Sequence, residues 1–416
     1  MEDRQRVILH SDINHCYAQI EEMRQPELRD IPMAVGGHEE ERHGIILAKN
    51  DLAKEYQIKT GESLREALAK CPQLTILPPD YEAYLYYTEK VKDIYREYSD
   101  QVESFGLDEA WIDLSSSLSL FGDGMEIART IQQRVWEELG LTISIGVSYN
   151  KIFAKLGSDR VKRMGLVEIT KENYKDTVWP LAVEELFYVG RATKKKLEYF
   201  GIETIGQLAS LSREWMRDRF GKMGELIWWF ANGEDVSEVA LTGTQAPVKS
   251  VGNAITAVKD ITTFEEAKIV YYVLVESVAS RLREQGLRGS VIAVSLRSKE
   301  LKWFSRQRKI EQATNIAAEI MPVVLSLLKE HYDFSLPLRT IGVTVSKLEP
   351  DSPFTQMNLF VSEEERHRMK VLEETMDNIR DRFGFEKVKR CAMLLDTSLT
   401  DFNPKQDHVI HPVGYF

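Results

Sequence analysis

Three acidic side chains carry the clearest chemistry in the sequence. Asp12 closes an apolar run that starts at Val7, and Asp108 and Glu109 stand side by side in the corner Gly106-Leu107-Asp108-Glu109. Consecutive carboxylates near a buried turn repel each other and lose hydration, so something cationic must offset them. Oxygen ligands with no nearby cysteine and few histidines suit a hard ion, Mg²⁺ or Mn²⁺. Two such ions bridged by carboxylates would clamp both the attacking and the leaving oxygen of a phosphoryl transfer. Taken singly, Asp12 reads as a strand-end cap and the 108–109 pair as an exposed turn. The chemical reading gains weight because both clusters fall at the ends of neighbouring strands.

The elements that must position these acids follow from hydrophobic pattern and turn residues. A buried strand over 7–12 leads into a helix over 14–23. Short strands at 33–35 and 44–48 flank a polar turn, and short helices follow near 51–56 and 63–70. Pro78-Pro79-Asp80 stops the chain, with Asp80 as N-cap of a long helix running to about 99. Strands at 102–105 and 110–114, a helix near 123–139 and a β-branched strand at 142–148 complete a mixed sheet with helices on one face. From about 181 the pattern turns to short helices punctuated by glycines, with a glycine hinge at Phe220-Gly221-Lys222-Met223-Gly224. Residues 243–247 read as a linker. Strands at 291–297, 301–305 and 339–345 then alternate with helices at 265–285 and 313–330. A second linker, Pro350 to Pro353, precedes a charged helix near 362–382.

The chain has 416 residues, 43% hydrophobic and 29% charged, the balance of a globular protein of two to four domains. Three cysteines, Cys16, Cys71 and Cys391, exclude a disulfide framework and fit a reducing cytoplasm. No apolar run spans a bilayer and no signal peptide opens the chain. The net charge of −11 speaks against a nucleic-acid partner, but it is unevenly spread. Residues 1–180 carry −10, whereas 245–345 carry +4. The densest basic run, Arg297, Lys299, Lys302, Arg306, Arg308 and Lys309 against Glu300 alone, is interleaved with Trp303 and Phe304. Such a run is either a solvated face or a phosphate-binding strand.

Three ordered motifs now resemble one family. His10-Ser11-Asp12-Ile13-Asn14-His15-Cys16-Tyr17-Ala18-Gln19-Ile20-Glu21, Ser104-Phe105-Gly106-Leu107-Asp108-Glu109-Ala110-Trp111-Ile112-Asp113 and Gly146-Val147-Ser148-Tyr149-Asn150-Lys151-Ile152-Phe153-Ala154-Lys155-Leu156 are similar to the blocks of the Y-family, translesion DNA polymerases. The resemblance is strongest to the bacterial ImpB/MucB/SamB-type branch that includes DNA polymerases IV and V. It covers roughly 1–347, with a looser likeness beyond.

The resemblance implies an α+β multidomain fold: a ferredoxin-like palm (1–30 and 78–180), small fingers (31–77), a helical helix-hairpin-helix thumb (181–243), an α/β little finger (248–347) and a clamp-binding tail (348–416). It implies low-fidelity, template-directed DNA synthesis past damaged bases, in the cytoplasm and without a proofreading exonuclease, on primer–template DNA and dNTPs. Asp12, Asp108 and Glu109, with the Ile13 carbonyl, would hold two Mg²⁺ ions, Mn²⁺ being able to substitute. Tyr17 would be the steric gate against a ribose 2′-hydroxyl, its other reading being a core aromatic. Lys54 and Lys162 would bind the triphosphate. Gly190, in the hairpin, would approach a DNA phosphate, and Lys249, Arg297, Lys299, Lys302, Arg306 and Arg308 would grip the backbone of the duplex. Gln356, Met357, Leu359 and Phe360 resemble the peptide that docks on the sliding clamp, the beta subunit of the replicase.

The sequence departs from the family pattern in three places. Asn14 stands where many members have a second aspartate. Asp51 stands where many have tyrosine, so it either turns away, onto Lys54, or weakens the phosphate grip. Tyr188-Val189-Gly190 lacks the first glycine of the hairpin's Gly-x-Gly. Two other functions remain to be separated from synthesis. A non-catalytic DNA- and clamp-binding repair protein would not need all of Asp12, Asp108, Glu109 and Lys162. A palm-type nucleotidyl cyclase would need neither the thumb nor the basic sheet.

Overall fold

The computed structural model describes residues 6–37, 44–161, 163–244, 247–352 and 363–407. They divide into two compact units, one formed by 6–37 and 45–244 and the other by 247–407.

The first unit is built on a five-stranded sheet in the order β5-β6-β1-β7-β8. Strand β1 (Ile8–Ile13) leads into α1 (Cys16–Arg24). A small three-stranded sheet follows, made of β2 (Met33–Gly36), β3 (Ile46–Lys49) and β4 (Thr75–Leu77), with α2 (Asp51–Glu55) and α3 (Leu64–Lys70) between the last two strands. The long helix α4 (Tyr81–Arg96) has Asp80 as its N-cap, accepting from the Ala83 N–H. Then come β5 (Val102–Phe105), β6 (Glu109–Asp113), a short α5 (Leu118–Phe121), α6 (Gly124–Leu139), β7 (Ile143–Ser148), α7 (Lys151–Arg160) and β8 (Leu166–Ile169).

Strand alternation sorts the side chains of β1. Leu9 and Ile13, with Ile112, Ile143, Ile145 and Val147, bury against apolar residues of α4 and α6. Ile8 joins Trp111 and Ala154 of α7 in a separate cluster, and His10 is bonded to Ser158 of α7. The sheet is therefore covered on both faces, not on one as the order of elements suggested. The reason is local: β7 is buried along its whole length, and Gly146 has no side chain to hold α7 away. A Cβ there would collide with the Ala154 carbonyl oxygen.

The remainder of the first unit is helical: α8 (Tyr174–Thr177), α9 (Arg191–Tyr199), α10 (Ile205–Ala209) and α11 (Arg213–Ala231), the last interrupted at Gly221, whose φ is +66°. They share a core with Ile152, Phe153 and Leu156 of α7. Tyr188, at the position of the missing glycine, itself adopts the left-handed φ of +71°.

The second unit carries a four-stranded antiparallel sheet, β11-β10-β12-β9. Its elements are β9 (Ser250–Ile261), α12 (Phe264–Glu284), β10 (Leu287–Ser298), β11 (Trp303–Thr314), α13 (Ala317–His331) and β12 (Leu338–Pro350). Helices α12 and α13 bury Ile292, Val294, Leu296, Ile341, Val343 and Val345 on one face. Strand β11 is far longer than the 301–305 expected, because its charged residues alternate without an apolar signal. It consumes the first residues of the helix expected at 313.

The described residues beyond the second linker belong to this unit. Helix α14 (Glu363–Phe383) supplies Glu373, which accepts from the backbone N–H of Ala317 (2.8 Å) and Ala318 (3.0 Å) and pairs with Arg283 at 2.7 Å. A buried carboxylate thus caps α13 and meets an arginine of α12. A short α15 (Pro404–Asp407) follows. Among the described residues no helix is long and apolar enough to cross a membrane.

Candidate active site

The register of the central sheet brings the first acids together. Asp12 lies opposite Glu109 on β6 and opposite Ser144 on β7. The Asp108 carbonyl accepts from the Ile13 N–H at 3.1 Å, which pins the corner to the end of β1. Directly opposed residues of an antiparallel pair project to the same side, so Asp12 and Glu109 share the face that α7 covers. His10 is on that face too, one pleat deeper.

Helix α7 inserts a cation into this cluster. The Lys155 ammonium donates to Glu109 Oε2 at 2.5 Å and lies 3.5 Å from Asp159. His10 Nε2 is 3.2 Å from the same Glu109 oxygen, and its Nδ1 is 2.7 Å from Ser158 Oγ. One turn earlier, Lys151 is bonded to both oxygens of Glu103 at 2.8 Å and lies over the Trp111 ring. The four-residue spacing of Lys151, Lys155 and Asp159 lines one helix face. That periodicity, with the alternation of Ile8, His10 and Asp12, was the available signal for these second-tier residues, and sequence reasoning assigned none of them a role.

The acids respond differently to burial. Burial, with repulsion from Asp108 and Glu109, pushes Asp12 up to about 8. Asp108 is likewise raised, by burial and then by Glu109. Burial would raise Glu109 as well, but His10 and Lys155 hold it below the usual carboxylate range. Two of the three carboxylates are thus short of positive charge, and their donor set is oxygen only. This suits hard divalent ions. As the side chains stand, no group of three His, Cys, Asp or Glu among the described residues converges to hold an ion. The donors of Asp12, Asp108 and Glu109 fit such a metal in type and charge.

Around the acids, Tyr17 stacks on Tyr84 (ring centroids 4.4 Å apart, 9° between planes) and meets Tyr81 edge-on. Tyr84 is in turn held by Glu21 at 2.7 Å. The Tyr17 ring is therefore braced on α4. Lys54 is exposed on α2. Asp51 does turn away, but onto Arg163 (2.7 Å) and not onto Lys54. Lys162 lies outside the described residues, as do Gln356, Met357, Leu359 and Phe360. Gly190 is the N-cap of α9 with an extended backbone, and a Cβ there would meet nothing within 4 Å.

In the second unit, pairing divides the basic run between the two faces of the sheet. Arg306 and Arg308 oppose the core residues Val294 and Ile292, on the side that bears the helices. Arg308 is tied there to Ser326 and Glu330 of α13. Arg297, paired with Trp303, is on the open face, 5.6 Å from that ring. The open face also carries the exposed Gln307 and Lys309 of β11 and, across β9, β10 and β12, the small residues Gly252, Ala254, Ala293, Ser295, Gly342 and Thr344. Lys299, Lys302 and Lys249 are exposed at its margins, with Lys302 paired to Glu300 and Lys299 3.6 Å from Asp260.

Residues 11–159 match the model of the impB/mucB/samB family, and residues 248–359 match the model of the C-terminal domain of the same family. The chain belongs to the impB/mucB/samB family. It is 44% identical over 394 residues to a DNA polymerase IV of Acetivibrio thermocellus, covering 95% of this chain and 99% of that protein. It is 34% identical to DNA polymerase IV 2 of Bacillus subtilis, covering 94% and 95%. Among solved structures, the Y-family DNA polymerase chimera Dbh-Dpo4(243-245)-Dbh superposes with a TM-score of 0.72 at 21% identity, over 82% of this chain and 98% of that one. The last comparison concerns the fold. For this impB/mucB/samB member, the mixed α+β architecture read from the sequence stands, and the family models meet both the acid-bearing sheet and the second unit.

Proposed function

We propose that this chain is a DNA-directed DNA polymerase of low fidelity that synthesises across damaged template bases by two-metal-ion nucleotidyl transfer. The observation that carries the reading is the register of Asp12 against Glu109, with Asp108 at the adjoining corner, in a chain whose relatives are named DNA polymerase IV along nearly their whole length.

In this reading Asp12, Asp108 and Glu109, with the Ile13 carbonyl, hold two Mg²⁺ ions, with Mn²⁺ as an effective substitute. Bound there, the metal supplies Lewis-acid stabilisation of the attacking 3′-oxygen and of the leaving pyrophosphate. The protein's own groups do the rest. Lys155 and His10 keep Glu109 ionised and oriented. Lys54 and Lys162 receive the triphosphate. The braced Tyr17 ring crowds a ribose 2′-hydroxyl. Gly190 and the open face of the second sheet, with Arg297, Lys299, Lys302 and Lys249, meet the phosphates of the primer–template duplex without reading bases. Small side chains on that face let a backbone come close. The domain roles are palm for 1–30 and 78–180, fingers for 31–77, thumb for 181–243 and little finger for 248–347. The segment 356–360 docks on the sliding clamp, and the enzyme works in the cytoplasm.

The test is primer extension with Mg²⁺ on an undamaged and a lesion-bearing template. The parent should extend both, and Asp108→Ala should lose extension while retaining DNA binding. Extension by Asp108→Ala at the parent rate would overturn the metal assignment.

A further inference from the structure

The Asp51–Arg163 pair joins the start of α2 to the turn after α7. Asp51 opens α2, directly after the N-cap Asn50. Asn50 is buried: its Oδ1 accepts from Met33 N–H (3.1 Å) and Ala53 N–H (2.9 Å), and its Nδ2 donates to the Ile31 carbonyl (2.9 Å). Asp51 is therefore fixed to a well-held backbone. Arg163 sits in the turn after α7. It and Met164 both have left-handed φ, +54° and +62°, a conformation that non-glycine residues adopt only when the surroundings impose it. The following Gly165 is anchored, its carbonyl accepting from Ile145 N–H and Gln132 Nε2 at 3.0 Å each. The guanidinium reaches back from this turn so that Nη2 and Nε lie 2.7 and 2.8 Å from one oxygen, Asp51 Oδ2.

The surroundings point to an anion. His15, between Asp12 and Tyr17 in the chain, lies in the combined field of Asp51, Lys54, Arg163 and Lys49. His15, Gln19, Asp51, Thr142, Arg163 and Met164 border an open cavity of about 370 Å³. Glu22 and Arg29 line the same cavity, so four cations, Lys49, Lys54, Arg163 and Arg29, outnumber two carboxylates, Asp51 and Glu22, around His15. The Arg163 side chain is 73% exposed, and an ion pair so open to water is weak and opens readily. A triphosphate offers several charged oxygens in the geometry a guanidinium fork matches.

We propose that Arg163 is a phosphate-binding residue for the incoming nucleotide, and that Asp51 competes with the nucleotide for it. The inference rests on the polymerase reading above. The nucleotide draws the guanidinium from Asp51 onto its phosphates, so Asp51 sets nucleotide affinity by occupying Arg163 in the free enzyme. The other role open to Arg163 is to neutralise Asp51 without touching the nucleotide. The two roles predict opposite double variants.

The experiment is steady-state single-nucleotide insertion on an undamaged primer–template, with KM and kcat measured for the parent, Asp51→Asn, Arg163→Ala and the double variant. Both residues are exposed enough for the variants to fold, and matched melting curves verify it. Asp51→Asn should lower KM for the dNTP by about threefold to tenfold with kcat within about twofold, the size expected for releasing one exposed charge-assisted contact. Arg163→Ala should raise KM. The double variant should bind the dNTP less tightly than Asp51→Asn alone, and Arg163→Lys should recover part of the loss. Pyrophosphate, tested as a product inhibitor, should follow the same order. Recovery of the parent KM in the double variant, or an unchanged KM in Asp51→Asn, would overturn the proposal. Absence of insertion by the parent would instead overturn the polymerase reading.

Discussion

The Lys155 ammonium lies 2.5 Å from Glu109 Oε2, within a cluster where neither Asp12 nor Asp108 has an equivalent partner among the described residues. One of three acids is thus neutralised by the protein itself. Burial and mutual repulsion raise the pKa of the other two. The fold makes this neutralisation possible by letting α7 press against β7 at Gly146 and Gly157, which carries Lys155 over the end of β1.

Replacing Lys155 should expose that division of charge. In Lys155→Met the Glu109 carboxylate keeps only His10 as a partner, and breaking such a pair costs about 3 kcal/mol. The melting temperature in metal-free buffer should fall. Added Mg²⁺ should raise the melting temperature of Lys155→Met more than that of the parent, because without the ammonium the three acids carry more uncompensated negative charge for the dication to offset. Thermal melts with and without Mg²⁺ check this, and equal Mg²⁺ shifts in both proteins would refute it.

Gly146→Ala tests the positioning of α7. The added Cβ would meet the Ala154 carbonyl and the Ser158 backbone N–H, and backbone cannot swing aside as a side chain can. The helix must move outward, at a cost of about 1–3 kcal/mol for overpacking. Both stability and insertion rate should drop, the rate by more than melting alone explains, since Lys155 and His10 lose their register with Glu109. Chemical denaturation paired with single-turnover insertion separates the two effects.

How much of this was legible in the sequence depends on the kind of signal. Asp12, Asp108 and Glu109 could be read because they sit at strand ends bounded by recognisable turns. Most elements of the first unit were recovered within a few residues for the same reason. The cover on the second face of the sheet was not legible. It depends on a close approach at Gly146, and a glycine in a strand announces proximity without naming its partner. Strand β11 was cut short because Arg306, Gln307, Arg308, Lys309 and Glu311 offer no apolar alternation, and pairing with β10 overrides that weak propensity. The Asp51–Arg163 pair joins residues 112 apart in sequence, and local pattern suggested Lys54 instead. The docking of α14 rests on ion pairs scattered along a charged helix, Glu373 and Asp377 to Arg283, Arg366 to Glu319 and Arg380 to Glu276, whose partners lie far upstream.

The division of the basic run predicts unequal effects on DNA binding. Arg297 is on the open face beside Trp303, which is 59% exposed, whereas Arg308 is engaged by Ser326 and Glu330 behind the sheet. Arg297→Ala should weaken duplex binding and reduce the slope of log affinity against log salt by about one unit, the signature of one lost phosphate contact. Arg308→Ala should leave that slope unchanged. Fluorescence anisotropy over a salt series decides it, and an equal loss in both variants would return Arg308 to the interface.

Sugar selection should depend on the brace behind Tyr17 as well as on Tyr17 itself. Tyr17→Ala removes the ring and should sharply raise ribonucleotide insertion. Tyr84→Ala leaves the ring in place but removes the face stacked against it at 4.4 Å. Aromatic pairs of this kind contribute about 0.5–1.5 kcal/mol beyond burial, so discrimination between dNTP and rNTP should relax by about threefold to tenfold. Because Tyr84 is fully buried, its truncation also leaves a cavity costing about 3–5 kcal/mol, and the assay belongs well below the melting transition. Tyr84→Phe is the control. It keeps the stack and loses only the bond to Glu21, so its ratio of kcat/KM for dNTP over rNTP should equal that of the parent. If Tyr84→Ala also keeps the parent ratio, the Tyr17 ring is held by something other than this stack.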